Sequence, residues 1–173
     1  MKGKPTNASE LHTLIGNAVC RTSALEHALG IILSRNEASQ DENRLERTIY
    51  KRFSKIRLAD RIKVYLDSLE VRGAPKAEIN RAKLGFKAII SWRNSLCHGI
   101  FTELDDGQFC LEFYDSKSFD RPDKIDPENP DKFILSPIRH KFTKEILQRH
   151  IQHIEETIDW VVKAENYLTP DHD

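Results

Sequence analysis

Apolar residues recur at steps of three and four along most of the chain, which predicts a mainly α-helical protein. The first such stretch runs from Ala8 to Arg35. The second covers about Arg44 to Val71, and Ser54 is a plausible cap residue that would divide it into two helices. The third runs from Lys76 to about His98, and the last begins near Thr143, which is a good helix cap.

The third and last helices carry the clearest boundary and packing signals. The turn Gly73-Ala74-Pro75 precedes the third helix, and Gly99 follows it as an expected left-handed stop. The last helix has a narrow apolar seam typical of antiparallel bundles. Its members are Leu147, Ile151, Ile154, Ile158 and Val161. The predicted fold is therefore an antiparallel four- or five-helix bundle.

Between these two helices the apolar period changes from about 3.6 residues to two, which predicts strands. Ile100–Leu104 and Gln108–Tyr114 flank Asp105-Asp106-Gly107, a strong hairpin signal. Asp115–Lys132 is rich in proline and aspartate, so we expect an exposed loop there. Phe133–Phe142 is a candidate for a short third strand at a sheet edge. The bundle thus contains a small β-hairpin insertion before its last helix.

Length and composition limit the functional classes. The chain has 173 residues, 27 basic and 27 acidic side chains, and 39% apolar residues, which predicts one globular domain spanning 1–173. No apolar run is long enough for a membrane span and no secretory signal is evident, so we expect a cytoplasmic protein. Three cysteines without a CxxC pair argue against disulfides and cysteine zinc sites. No phosphate-cradling glycine loop, GxSxG or HExxH motif occurs, and we expect no metal or other cofactor.

The most informative string is Trp92-Arg93-Asn94-Ser95-Leu96-Cys97-His98-Gly99, at the end of the third helix. Here the chain resembles the HEPN superfamily of helical-bundle domains. Their signature is an arginine, usually an adjacent polar residue, three further residues and a histidine. The resemblance implies an RNA-cleaving toxin or an RNA-processing enzyme, with Arg93, Asn94 and His98 as the catalytic motif.

The residue types of the motif suit metal-independent RNA cleavage. The ribose 2′-hydroxyl can attack the neighbouring phosphate when a histidine such as His98 moves the proton. The fork of Arg93 suits the charge that builds on the phosphate. Asn94 is four residues before His98, hence on the same helical face, whereas Arg93 is about 140° away. Either the arginine wraps around the helix end, or a second protomer completes the site. The resemblance favours the second, since these domains commonly pair so that two motifs face one cleft.

The same residues have a structural interpretation. Arginine, asparagine and histidine near a helix end often form hydrogen bonds with the last free carbonyls.

The chain also departs from one pattern of this superfamily. Some of its toxins carry a tyrosine two residues after the histidine, where this chain has Ile100. That difference argues against a toxin pair regulated by modification of the tyrosine, although it leaves cleavage open.

A basic run is hidden by the zero net charge. The candidate RNA-binding residues are Arg44, Arg47, Lys51, Arg52, Lys55 and Arg57. Arg61 and Lys63 continue the run, and Tyr50 and Phe53 interrupt it. This run could follow a phosphate backbone with the aromatics available for base stacking. Its alternative is a solvated helix face whose aromatics point inward.

Three weaker candidates complete the set. Glu26 and His27 could line the same cleft as His98. His150 and His153 have a spacing found in metal sites, but no second ligand pair is evident. Cys97 is more often a small buried filler than a thiol nucleophile.

The sequence therefore predicts a HEPN-type endoribonuclease that forms a homodimer and has RNA as its substrate. A toxin, defence or RNA-processing role, with a cognate antitoxin or regulatory partner, is implied by the resemblance only. The first alternative is a non-catalytic HEPN-like module for binding or dimerisation. A remoter one is an interaction domain without any nucleic-acid role.

Overall fold

The computed structural model describes residues 8–39, 46–104, 108–113, 124–126, 129–134 and 138–168. Within these ranges, five α-helices and five β-strands are present. The helices are α1 (Ala8–Ala38), α2 (Glu46–Phe53), α3 (Leu58–Val71), α4 (Lys76–His98) and α5 (Lys144–Ala164), followed by a 3₁₀ turn at Glu165–Tyr167. The strands are β1 (Ile100–Glu103), β2 (Phe109–Phe113), β3 (Lys124–Asp126), β4 (Asn129–Ile134) and β5 (Ile138–Phe142). The predicted class, a helical bundle with a β insertion before the last helix, is confirmed.

The helices pack around α1, which contacts each of the other four. Two neighbours of α5 run in different directions. Ion pairs join α1 to α5 in the same order along both helices, from Lys144–Glu10 through Arg21–Glu155 to Arg35–Glu165, so these two helices are parallel. In contrast, α4 runs opposite to α5. Its residue Trp92 contacts His150, whereas the earlier Phe86 contacts Trp160.

The core consists of two apolar clusters. The larger one fills the bundle, and its nearly inaccessible members include Leu25, Leu29, Tyr65, Leu69, Phe86, Ile89 and Ile154. The smaller one joins the start of α1, the end of α4, the sheet and the start of α5. It contains Leu11, Ala18, Leu96, Phe109, Leu111, Phe142 and Leu147. The sheet is therefore fixed against the end of the bundle that carries the Arg-Asn-His motif.

The insertion is larger than the sequence predicts. In the main sheet, β2 lies between β1 and β5 and pairs antiparallel with both, with Ile100 opposite Glu112 and Phe113 opposite Ile138. The predicted turn at 105–107 lies outside the described residues, although Leu104 N–H donates to Gln108 O on either side of it. The expectation of a loop over 115–132 is wrong for part of its length, because β3 and β4 form a separate antiparallel pair.

Three predicted boundary residues have other roles. Ser54 does not begin a helix. It follows α2, and its hydroxyl donates to Lys51 O. Thr143 precedes α5 without capping it through its side chain; instead its hydrogen bond with Glu145 lowers the pKa of that carboxyl. Gly99 is not a left-handed stop, because its backbone is extended (φ −91°, ψ 159°) and leads directly into β1.

Gly99 is required for close packing. A Cβ at this position would lie 2.1 Å from Leu111 Cδ1 and 2.6 Å from the backbone oxygen of Ser95. Gly99→Ala should therefore lower the free energy of unfolding by about 1–3 kcal/mol, because a buried side chain and the helix end must move apart. Urea unfolding measures this change.

Gly16 supplies the matched control. A Cβ there meets nothing within 4 Å, and Gly16 lies inside α1. Gly16→Ala should raise the stability by about 0.5–1 kcal/mol, because alanine restricts the unfolded chain more than glycine does. A Gly99→Ala protein as stable as the parent would contradict the packing described for this corner.

None of the helices in the described part of the chain has the length and apolar content needed to cross a bilayer.

Candidate functional site

The Arg-Asn-His motif occupies the last turns of α4, which ends at His98 as the sequence predicts. The inward face of this segment is fixed by Leu96, which is buried in the smaller cluster, and by Trp92, which packs edge-on against Phe142. The opposite face is open, and Asn94 and His98 are both exposed there. The motif thus lies on the surface at the junction of bundle and sheet.

Arg93 is drawn towards this open face. Its Nη1 donates a hydrogen bond to Asn94 Oδ1 over 3.2 Å. Asn94 is one turn before His98, and side chains at that spacing are neighbours on a helix. The half-buried Arg93 side chain is therefore hydrogen-bonded to a residue of the face that carries His98.

His98 is not held by the rest of the protomer. Within the described residues it has no hydrogen-bond or ion-pair partner. Four cavities are described, and Arg93, Asn94 and His98 line none of them. The nearest cavity, of about 170 Å³, lies between α4 and β5 and is lined by Ser95 and His140. Within the described residues, the motif is therefore an open surface patch and not a closed cleft.

The residues next to the motif are also accessible. Cys97, expected to be a buried filler, is exposed. Ile100 is 68% exposed, which is unusual for a large aliphatic side chain in a strand next to a core. The accessible end of α4 thus carries a thiol and an apolar side chain beside the polar motif.

Five of the six predicted RNA-binding residues lie on α2 and in the turn after it. Four of them are exposed and have no ion-pair partner among the described residues: Arg47, Lys51, Lys55 and Arg57. Arg52 is exposed but forms an ion pair with Glu37, and its guanidinium lies 4.7 Å from the ring centre of Phe53. Arg44 lies outside the described residues.

We call the surface formed by Arg47, Lys51, Arg52, Lys55 and Arg57 the basic face, and Arg61 is not part of it. It is buried, and its guanidinium donates to backbone oxygens of Glu26, Ser54 and Ile56. The donation to Glu26 joins α3 to α1, and the donations to Ser54 and Ile56 hold the α2–α3 turn against α3. The expectation that Arg61 contributes to a phosphate-binding surface is therefore wrong, and its role is structural.

The aromatics of the basic run are not free stacking platforms. Phe53 is buried in the larger cluster. Tyr50 is half-buried, and its hydroxyl forms a 2.7 Å hydrogen bond with His27 Nδ1. These contacts agree with the inward-facing alternative. They also place His27 against α2, so it does not share a cleft with His98.

The basic face and the motif are on different parts of the bundle. Tyr50 on α2 lies against Gly30 of α1, whereas Leu96 near the end of α4 packs in the cluster that contains Ala18. Gly30 and Ala18 are separated by about 18 Å along α1, at 1.5 Å per residue. A single RNA strand that contacts both the basic face and the motif would therefore have to span several nucleotides between them.

Sequence reasoning missed the burial of His150. The ring stacks on Trp92 with centroids 5.0 Å apart, and its buried Nε2 has no hydrogen-bond partner among the residues that the structure describes. Burial lowers the pKa of His150 to about 4, with a smaller contribution from His153. The spacing of His150 within the apolar seam was the available signal, because Leu147 and Ile154 flank it at three and four residues.

Among the described residues no three His, Cys, Asp or Glu side chains come together as a metal site.

Comparison with known proteins gives no relative. Scans of protein-family models, of curated proteins and of solved structures each found no match.

Proposed function

We propose that this protein is a metal-independent endoribonuclease of the HEPN type. The observation that carries the proposal is the grouping of Arg93, Asn94 and His98 on the open face at the end of α4, with the arginine hydrogen-bonded to the asparagine. These are the residues on which the resemblance rests, and they are accessible to a polymer. RNA is the proposed substrate, and no cofactor is invoked.

The proposed reaction is an intramolecular transesterification at phosphorus, in which the 5′-hydroxyl of the downstream RNA is the leaving group. The 2′-oxygen bonds to the adjacent phosphorus, the bond from phosphorus to the 5′-oxygen breaks, and a proton moves from the first oxygen to the second. His98 is the acid/base, because an imidazole exchanges protons near neutral pH. Arg93 stabilises the charge on the phosphate, and Asn94 orients the groups. The products carry a 2′,3′-cyclic phosphate and a free 5′-hydroxyl.

A second copy of the chain completes the proposed site. His98 has no partner within the described part of its own protomer, and the motif lines none of the described cavities. Two motifs facing one another would place His98 of one protomer beside Arg93 of the other, so that the two chains together supply the acid/base and the phosphate-binding group. The exposed side chain of Ile100 beside the motif gives such a contact apolar area.

The proposed biological setting is a toxin, defence or RNA-processing role, with a cognate antitoxin or regulatory protein as partner. This setting is implied by the resemblance alone. It is tested by looking for a protein encoded beside this one that blocks cleavage.

The alternative is a non-catalytic binding or dimerisation module of the same type. The open, partnerless position of His98 favours it, because an unoriented imidazole is a poor acid/base until something fixes it. In this case the protein dimerises through the end of α4 but RNA remains intact.

The experiment is an incubation of single-stranded RNA with the purified protein in excess chelator. The endoribonuclease proposal expects fragments that end in 2′,3′-cyclic phosphate or 3′-phosphate. Intact RNA together with a stable dimer would support the binding module instead.

The basic face gives a separate expectation. Lys51→Gln with Arg57→Gln should weaken RNA binding and reduce the slope of log affinity against log salt by about 1.4, since each phosphate contact to a single strand contributes about 0.7. These residues are suited to the test because they have no ion-pair partner in the described chain, unlike Arg52. Binding isotherms at several salt concentrations measure the slope.

The matched control is Lys76→Gln with Lys163→Gln, two exposed lysines on α4 and α5. It removes the same charge away from α2 and should change binding less. Equal losses in both double variants would mean that RNA responds only to total charge.

A further inference from the structure

A groove of about 450 Å³ lies between α3 and α4, and Ser91, one of its lining residues, is two residues before Arg93 of the motif. Its floor is apolar and is formed by core side chains of both helices: Ile62, Leu66, Phe86 and Ile90. Ala59 stands exposed at one edge, where its small side chain leaves the groove open. A volume of this size falls within the range of about 300–1,000 Å³ common for small-molecule sites.

The rim of the groove is positively charged. Lys63 projects from α3, and Lys83 and Lys87 follow one another at one helical turn on α4. All three are exposed and have no ion-pair partner among the described residues. Asp67 is the only acidic side chain that lines this groove in the described chain, so the rim carries three positive charges against one negative.

We propose that this groove binds a small organic anion with an aromatic or acyl body. The apolar floor binds the aromatic or acyl body, because covering the floor removes apolar surface from water. The three ammonium groups account for the anionic group, because they are compact charges on flexible stems that can converge on it. An inorganic anion would use the lysines alone, and a neutral apolar molecule would use the floor alone. Charge and shape together therefore select a molecule that has both parts.

The groove is next to the motif but shares no residue with it, since Ser91 is its lining residue nearest to Arg93 in the sequence. Only Lys63 of the groove lies in the basic run of the sequence. The experiment below measures binding without RNA, so its outcome and that of the cleavage assay are separate.

A pair of fluorescent probes tests the proposal. One is 1-anilinonaphthalene-8-sulfonate, and the other is N-phenyl-1-naphthylamine, which has the same ring body without the sulfonate. Fluorescence titration at low salt should show saturable one-to-one binding of the sulfonate. In Lys83→Gln with Lys87→Gln its affinity should fall by about tenfold or more, because each charge near 4 Å contributes about fivefold in water. The affinity for the neutral probe should stay unchanged in that variant.

Two further variants locate the site. Ala59→Trp fills the groove from its exposed edge and should weaken both probes, whereas Lys76→Gln with Lys163→Gln should affect neither. Unchanged sulfonate affinity in the Lys83 and Lys87 variant would overturn the proposal. Full displacement of the sulfonate by an equal concentration of inorganic phosphate would also overturn it, because the apolar body would then contribute nothing. The lysines are at exposed positions, so their variant keeps the test decisive even if Ala59→Trp is unstable.

Discussion

Replacement of His98 by alanine should lower RNA cleavage by about a hundredfold or more, because general acid–base catalysis contributes at least that much. Arg93→Ala should cause a loss of about 10²–10³, as removal of one donor to a charged transition state does elsewhere. Cleavage rates under single-turnover conditions measure both changes. The adjacent Cys97 is exposed and has no proposed role, so Cys97→Ser should cleave like the parent.

Stability has to be followed in the same proteins, because His98 is the last residue of α4. Thermal melts and sedimentation should show that each variant is folded and has the parental oligomeric state. A folded, dimeric His98→Ala protein that cuts RNA at the parental rate would end the catalytic proposal.

Mixing the two inactive variants tests the contribution of a second protomer. If Arg93 of one protomer acts with His98 of the other, a mixed dimer has one intact site and part of the activity returns. If both residues act within one protomer, the mixture stays inactive. The hydrogen bond from Arg93 to Asn94 is compatible with either arrangement, since Asn94 lies on the face that would meet the partner.

Acid should destabilise the protein through His150. Its pKa is lowered from 6.5 to about 4 in the folded state, first by burial and then by His153. The native imidazole stays neutral while the unfolded chain takes up a proton, so this contribution to stability is present above pH 6.5 and is lost as the pH falls towards 4. The difference between 6.5 and about 4 corresponds to a total loss of roughly 3–4 kcal/mol, at about 1.4 kcal/mol per pKa unit.

His150→Phe isolates this effect. Phenylalanine keeps a ring against Trp92 and removes the buried Nε2, for which the described part of the chain supplies no hydrogen-bond partner. Urea unfolding between pH 7.5 and pH 4 should show a smaller pH slope than in the parent, by about one proton at most. His12→Gln, at an exposed position on α1, should leave the slope unchanged. Equal slopes in the parent and His150→Phe would show that His150 does not carry the acid sensitivity.

The parts of the fold that were predicted correctly are those with strong local signals. The turn Gly73-Ala74-Pro75 and the change of period after Gly99 bound α4, which spans Lys76–His98 as expected. The antiparallel pairing of β1 and β2 follows from the turn residues between two alternating segments. These signals are local because backbone geometry near glycine and proline depends on few neighbours.

The parts that were missed depend on tertiary contacts. Arg61 looks like one basic residue among eight, and only the approach of Glu26 and the turn after α2 makes it a buried structural group. The strands β3 and β4 lie in a segment rich in proline and aspartate, whose pattern has no alternation. The parallel course of α1 and α5 is likewise set by the path of the whole chain.

The candidate site likewise combines features that local sequence predicts with features that depend on side-chain and tertiary contacts. The spacing of Asn94 and His98 fixes their common face, so this part could be predicted from the helix alone. The hydrogen bond from Arg93 to Asn94 joins adjacent residues near a helix end, and adjacent helical positions do not normally face each other, so the helix alone does not predict it. The groove rim needs two helices, because Lys83 and Lys87 are one turn apart on α4 but meet Lys63 only when α3 packs beside them.

The most direct measurement compares two RNAs that differ by one atom. One is all ribose, and the other has a single 2′-deoxyribose on the 5′ side of the phosphate that the protein cuts. In excess chelator, we expect the first RNA to be cut there to a 2′,3′-cyclic phosphate and the second to remain uncut at that position. Equal cleavage of both RNAs would contradict the proposed mechanism, because a nucleophile other than the 2′-hydroxyl would then be attacking.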